Sequence, residues 1–105
     1  MARIAAIRKA MEEENPDSFL MGEVWEDGSN KIAYSERRRY LLGDELHGLM
    51  NYPFRRAALN YLRGGSAEGF YEDMETIREN YPTDAFYGAM NFLSTHDTPR
   101  MLTLL

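Results

Sequence analysis

Phe19-Leu20-Met21-Gly22-Glu23-Val24-Trp25 is a near-continuous apolar run, broken only by one glycine and one glutamate. Such a run suits a strand buried on both faces, as in a parallel sheet covered by helices. Two more short apolar runs, Leu46 to Tyr52 and Ala89 to Ser94, repeat the pattern. Between the runs the hydrophobic period becomes helical. Ile4, Ile7 and Met11 recur at i, i+3 and i+7 over residues 2–14. Asn15-Pro16 ends that helix, because proline drives its predecessor out of the α region. Pro53 fits the first turn of a helix over 53–63, which should bury Phe54, Ala58, Tyr61 and Leu62 and stop at Gly64-Gly65. Ser66 is a good N-cap for a helix over 67–80 with Phe70, Met74 and Ile77 on one stripe. Pro82 closes it, and Thr83-Asp84 caps one more turn through Tyr87. Thr98 and Pro99 read as the N-cap and first position of a last helix through Leu105, and a short helix is expected around 35–42, ending near Gly43. Strands alternating with helices imply an α/β fold with a parallel sheet and right-handed crossovers.

Composition narrows what such a fold can do. The 105 residues allow a single unit, with 44% hydrophobic and 28% charged residues, which is ordinary for a globular chain. A net charge of -5 is a poor footprint for binding a phosphate backbone, so nucleic acid is not expected as a partner. No apolar stretch is long enough for a membrane span, and residues 1–14, with Arg3, Arg8, Lys9 and three glutamates, are no secretory leader. Zero cysteines exclude disulfides and thiolate chemistry, and the two histidines, His47 and His96, leave little material for a metal site. A cytoplasmic location is the expectation.

The polar residues that look costly all fall where a buried strand meets the following loop. Glu23 closes the first run, Asn51 the second, and His96-Asp97 follow the third. In parallel α/β folds that C-terminal edge is where sites are built. Structural roles account for the same residues one by one. Glu23 could be a strand-end carboxylate bonded to its neighbours, Asp97-Thr98 a helix start ahead of Pro99, His96 a satisfied structural histidine and Trp25 part of a core. The run Arg37-Arg38-Arg39 reads as a solvated face or as partners for nearby acids.

Longer motifs separate these readings. Gly22-Glu23-Val24-Trp25-Glu26-Asp27-Gly28-Ser29 resembles the segment around the acid/base glutamate of the α-amylase family, glycoside hydrolase family 13. Asn91-Phe92-Leu93-Ser94-Thr95-His96-Asp97-Thr98-Pro99-Arg100 resembles a later motif of that family, which ends in its His-Asp pair. Between them, Met50-Asn51-Tyr52-Pro53-Phe54-Arg55 is similar to the neopullulanase, cyclomaltodextrinase and maltogenic amylase subgroup. The resemblance runs through nearly the whole chain, in order and at matching spacing.

The resemblance implies a partial (β/α)8 TIM barrel, with three parallel strands and flanking helices corresponding to the fifth, sixth and seventh of the barrel. It implies that residues 1–105 are a piece of a glycosidase catalytic domain acting on α-glucan oligosaccharides. Glu23 matches the general acid/base, and Asp97 the carboxylate that holds sugar hydroxyls and favours the oxocarbenium-like transition state. His96 matches a donor to the same sugar, and Trp25 a stacking platform on the leaving-group side. The family's nucleophilic aspartate and its arginine partner belong to the strand before the first helix, which the 105 residues do not contain. Asp17, in a loop, is the only acid between that helix and the Glu23 strand. The isolated chain is therefore expected to be inert. No cofactor is expected within it, because the family's calcium sites lie largely in other segments. Two alternatives remain: a non-catalytic carbohydrate-binding remnant, and a folding unit that self-associates through exposed strand edges.

Overall fold

The computed structural model describes residues 2–25, 28, 32–33, 36–37, 41 and 45–105. The first helix, α1, runs from Ala2 to Glu14 with neither an acidic first turn nor a basic last turn, so its charges do not follow the helix dipole. Arg8 reaches Glu12 one turn on and holds that carboxyl below the usual carboxylate range. The helix is fixed by packing, with Ile4 against the core.

The first apolar run yields a strand of only two residues, β1 (Met21–Gly22). It pairs in parallel with β4 (Gly48–Leu49), in the register Met21 to Gly48 and Gly22 to Leu49. Flanking hydrogen bonds extend the ladder at both ends: His47 N–H donates to the Leu20 carbonyl and Met50 N–H to that of Gly22. His47 also accepts the Leu20 N–H on Nδ1 at 2.8 Å and stacks on Phe19, so its role is to pin the lower end of the strand pair. The third run adds a parallel bridge, Met50 to Met90, in which Asn51 N–H donates to the Met90 carbonyl and Met90 N–H to that of Leu49. The strands thus lie side by side in chain order, as neighbours in a barrel wall do.

The segment between β1 and β4 differs from expectation. Where a helix was expected around 35–42, Glu36–Arg37 form a strand, β3, antiparallel to β2 (Ile32–Ala33). Gly43, Arg38, Arg39 and the side chain of Arg37 lie outside the described residues.

Helix α2 spans Tyr52–Leu62, with Pro53 in its first turn. Its N-cap is Asn51, whose Oδ1 accepts the Phe54 N–H at 3.0 Å. Beyond its end Gly64 takes a φ of 105°, which a side chain would strain. The buried face is Ala57, Ala58 and Leu59, while the expected Tyr61 and Leu62 are about half exposed. Helix α3 (Ala67–Asn80) starts as expected on Ser66, which accepts the Gly69 N–H, and its stripe ends in the buried Ile77. Pro82 is the N-cap of α4 (Thr83–Tyr87), with no side-chain capping bond from Thr83 or Asp84.

The last helix, α5, is confined to Met101–Leu104. Thr98 does not cap it. Its hydroxyl instead accepts the Thr95 N–H and closes a turn over 95–98, and Ser94 Oγ accepts the Met101 N–H.

The core gathers Leu41, Leu46, Leu49, Ile77, Tyr81 and Ala85 between the strand pair and helices α3 and α4. Among the described residues one acidic side chain is buried with it. Glu45 is 2% exposed, and neither carboxylate oxygen has a hydrogen-bond partner among the described residues. An unsatisfied buried polar group costs about 1–3 kcal/mol. Glu45→Met should therefore raise the urea midpoint of the chain, and a lowered midpoint would mean that the carboxylate is held by a partner after all.

Candidate active site

The strand ends determine which side chains can meet. Because β1 and β4 run parallel in register, the residues that follow them emerge on the same edge. Glu23 and Trp25 leave β1 there, and Asn51 and Tyr52 leave β4. Asn51 is fully buried and fixed from two sides: its Oδ1 caps α2, and its Nδ2 donates to Asn91 Oδ1 at 2.9 Å. That bond ties the end of β4 to the segment after the Met90 bridge, and the cap starts α2 with Tyr52 facing inward.

Tyr52, only 4% exposed, is the centre of the arrangement. Its ring stacks on Trp25 at 4.4 Å between centroids and 18° between planes, and Phe92 meets it edge-on at 4.7 Å. Its hydroxyl donates to Glu23 Oε2 at 3.4 Å, a long hydrogen bond of the kind that often tightens only when a substrate closes the site. Burial raises the Tyr52 pKa above its usual value of 10, and the nearby Glu23 carboxylate raises it further. Asp97 adds a smaller upward push, while a Thr95 hydrogen bond acts in the opposite direction. The phenol therefore stays protonated, and a donor, at any neutral pH.

The expected site residues are found as follows. Glu23 is exposed at the end of β1, with its carboxylate facing the Tyr52 hydroxyl. Trp25 has one face on Tyr52 and is 47% exposed, so it is not a core residue. His96 and Asp97 form a pair, Nε2 to Oδ2 at 3.2 Å, on the turn that follows the third apolar run. Their side chains are 89% and 48% exposed. Asp97 N–H donates to Thr95 Oγ1, which orients the turn. Two carboxylates, Glu23 and Asp97, thus act on one buried phenol. Among the described residues no three His, Asp or Glu side chains converge as metal ligands.

Tyr52 was the residue that motif reading passed over. The available signal was a large aromatic directly after a buried strand and directly before a helix-starting proline, a position that cannot turn to solvent.

The model of the α-amylase catalytic domain matches residues 1–105. The chain belongs to the α-amylase family. Among its relatives, neopullulanase 2 of Thermoactinomyces vulgaris is 35% identical over 98 residues, covering 91% of this chain and 15% of that protein. A cyclomaltodextrinase of Geobacillus thermopakistaniensis is 33% identical, covering 92% of this chain and 15% of that protein. In three dimensions the chain resembles the cyclic α-maltosyl-(1→6)-maltose hydrolase of Arthrobacter globiformis, solved with maltose, with a TM-score of 0.82, 25% identity and coverage of 96% of this chain and 22% of that one. It also resembles a cyclomaltodextrinase, with a TM-score of 0.79 at 32% identity, over 95% of this chain and 16% of that one. This α-amylase-family chain is part of a TIM barrel and spans 15% of the length of neopullulanase 2 and of the Geobacillus cyclomaltodextrinase.

Proposed function

We propose that this chain supplies the acid/base side of an α-glucosidic active site in a larger barrel, of which it forms the fifth to seventh strands. The observation that carries the reading is the common edge on which Glu23 and Trp25 contact Tyr52, with Asp97 near enough to act on the same phenol. Glu23 protonates the glycosidic oxygen as the C1–O bond breaks, and afterwards takes a proton from the attacking water. Asp97 holds sugar hydroxyls and favours the flattened, positively charged ring of the transition state, with His96 donating to the same sugar. The exposed face of Trp25 stacks on a glucose unit of the leaving group. The relatives' names, cyclomaltodextrinase and neopullulanase, support cyclodextrins, pullulan and maltooligosaccharides as substrates of the whole protein.

A retaining glycosidase also needs an ionised carboxylate about 5 Å from the acid, as nucleophile. Asp97 is assigned to sugar binding, and Asp17 lies in the loop before β1. The family resemblance puts the nucleophile on the strand that precedes α1, so we infer that it is supplied from outside residues 1–105. The isolated chain should show no turnover of maltoheptaose or β-cyclodextrin by reducing-sugar release. Turnover that disappears in Glu23→Gln would overturn this. A second reading, a weak carbohydrate-binding piece, is favoured by the half-exposed Trp25. As the only tryptophan, it gives a direct fluorescence titration with maltoheptaose, in which binding without turnover is the outcome.

A further inference from the structure

We infer that Tyr52 is a positioning residue that couples the acid/base glutamate to the sugar platform, its hydroxyl orienting Glu23 and its ring fixing Trp25. This rests on the proposed role of Glu23. The two contacts come from opposite parts of one buried side chain: the hydroxyl lies 3.4 Å from Glu23 Oε2, and the ring lies 4.4 Å from Trp25. Phe92, two residues beyond the Met90 bridge, blocks the ring edge-on, and Asn51, bonded to Asn91, fixes the start of the helix that carries Tyr52. The phenol cannot swing away, so the groups it touches inherit its position.

Glu23 needs that support because it lies beyond the last ladder residue of β1, on an exposed chain end where nothing else described holds its carboxylate. Trp25, two residues on, needs it for the same reason. A glucose unit stacked on the outer face of Trp25 is thereby placed relative to the proton it must receive. Substrate length on the leaving-group side and efficiency of protonation become linked through one residue.

The test uses the whole protein and two substrates. Maltotriose requires protonation of its sugar leaving group, whereas α-maltosyl fluoride loses fluoride without help from the carboxylic acid. Tyr52→Phe keeps the ring and removes the hydroxyl. Its kcat/KM for maltotriose should fall about 10- to 100-fold, mainly in kcat, because a misplaced catalytic group loses that order of rate. Its kcat/KM for the fluoride should stay within about twofold of the unaltered protein. The ratio is read within one protein sample, so a partly unfolded variant does not blur it. Equal losses on both substrates, or no loss on either, overturn the inference. Tyr52→Leu removes the ring as well; it should raise KM for maltoheptaose more than for maltotriose. An unchanged KM ratio overturns the platform half. Glu23→Gln is the control for the underlying reading. If it leaves maltotriose hydrolysis intact, the role of Glu23 falls; if it abolishes hydrolysis while Tyr52→Phe changes no ratio, only the role of Tyr52 falls.

Discussion

Glu23→Gln in the whole protein is expected to lower kcat/KM for maltooligosaccharides by about 10²- to 10⁴-fold, the range that a positioned general acid contributes. Glutamine keeps the size of the side chain and can still accept the Tyr52 hydroxyl hydrogen, but it cannot deliver a proton to the glycosidic oxygen. Glu23 is exposed at the strand end, so the exchange removes no packing and the melting temperature should not move. The substrate dependence makes the expectation specific. α-Maltosyl fluoride needs no acid for its first step and should still form the covalent intermediate. That intermediate should then accumulate, because the carboxylate that activates water is gone. Azide, an anion that attacks without losing a proton, should restore turnover and give the α-glycosyl azide. Undiminished hydrolysis of maltotriose, or a loss that azide does not relieve with the fluoride, would remove Glu23 from the acid/base role.

The second large effect concerns the strand junction beneath the site. Leu49 is fully buried in β4, and truncation to alanine should cost about 2–5 kcal/mol through lost burial and the cavity left behind. Gly48, beside it, allows the backbone at the end of α4 to lie directly against the strand. A Cβ at position 48 would sit 2.9 Å from the Gly88 carbonyl carbon, closer still to its oxygen, and 3.2 Å from Phe19 Cζ. Backbone cannot rotate aside as a side chain can, so Gly48→Ala must push the α4 end off the sheet, at about 1–3 kcal/mol. Urea unfolding should show lowered midpoints for both, against an exposed control such as Ile7→Ala, expected to change stability by less than about 0.5 kcal/mol. Because Gly48 sits just below Met50 and Asn51, its substitution should also shift Trp25 emission. A midpoint unchanged by Leu49→Ala would mean that β4 is not the centre of this core.

The helices were largely legible in the sequence because their determinants are local. The period of Ile4, Ile7 and Met11, the proline after Asn15, the Ser66 cap and the glycines at 64 and 65 all act within a few residues, and α1, α2 and α3 lie where those signals put them. The motifs around Glu23 and His96–Asp97 were equally visible, since the family they match is shown over residues 1–105. The sequence by itself therefore determined the family and the placement of α1, α2 and α3.

Tertiary structure decided the rest, for reasons that no local signal contains. Apolar content led to the expectation of strands buried on both faces, yet no residue of 19–25 or 89–94 is fully buried here, and content does not say how many residues find a ladder partner. The runs at 19–25 and 89–94 resolve into a two-residue strand and a bridge at Met90. The 35–42 segment carries helix-forming residues, yet Glu36–Arg37 pair with Ile32–Ala33, because strand pairing depends on what lies opposite. Tyr61 and Leu62 share the apolar stripe of α2 but stay about half exposed, Tyr61 meeting only the Phe70 ring of α3 at 5.7 Å. Thr98 has the chemistry of a helix cap and closes a turn with Thr95 instead. Tyr52 joins Glu23, Trp25 and Phe92 only because three chain-distant strand ends meet around it, a convergence created by parallel pairing and encoded at no single position.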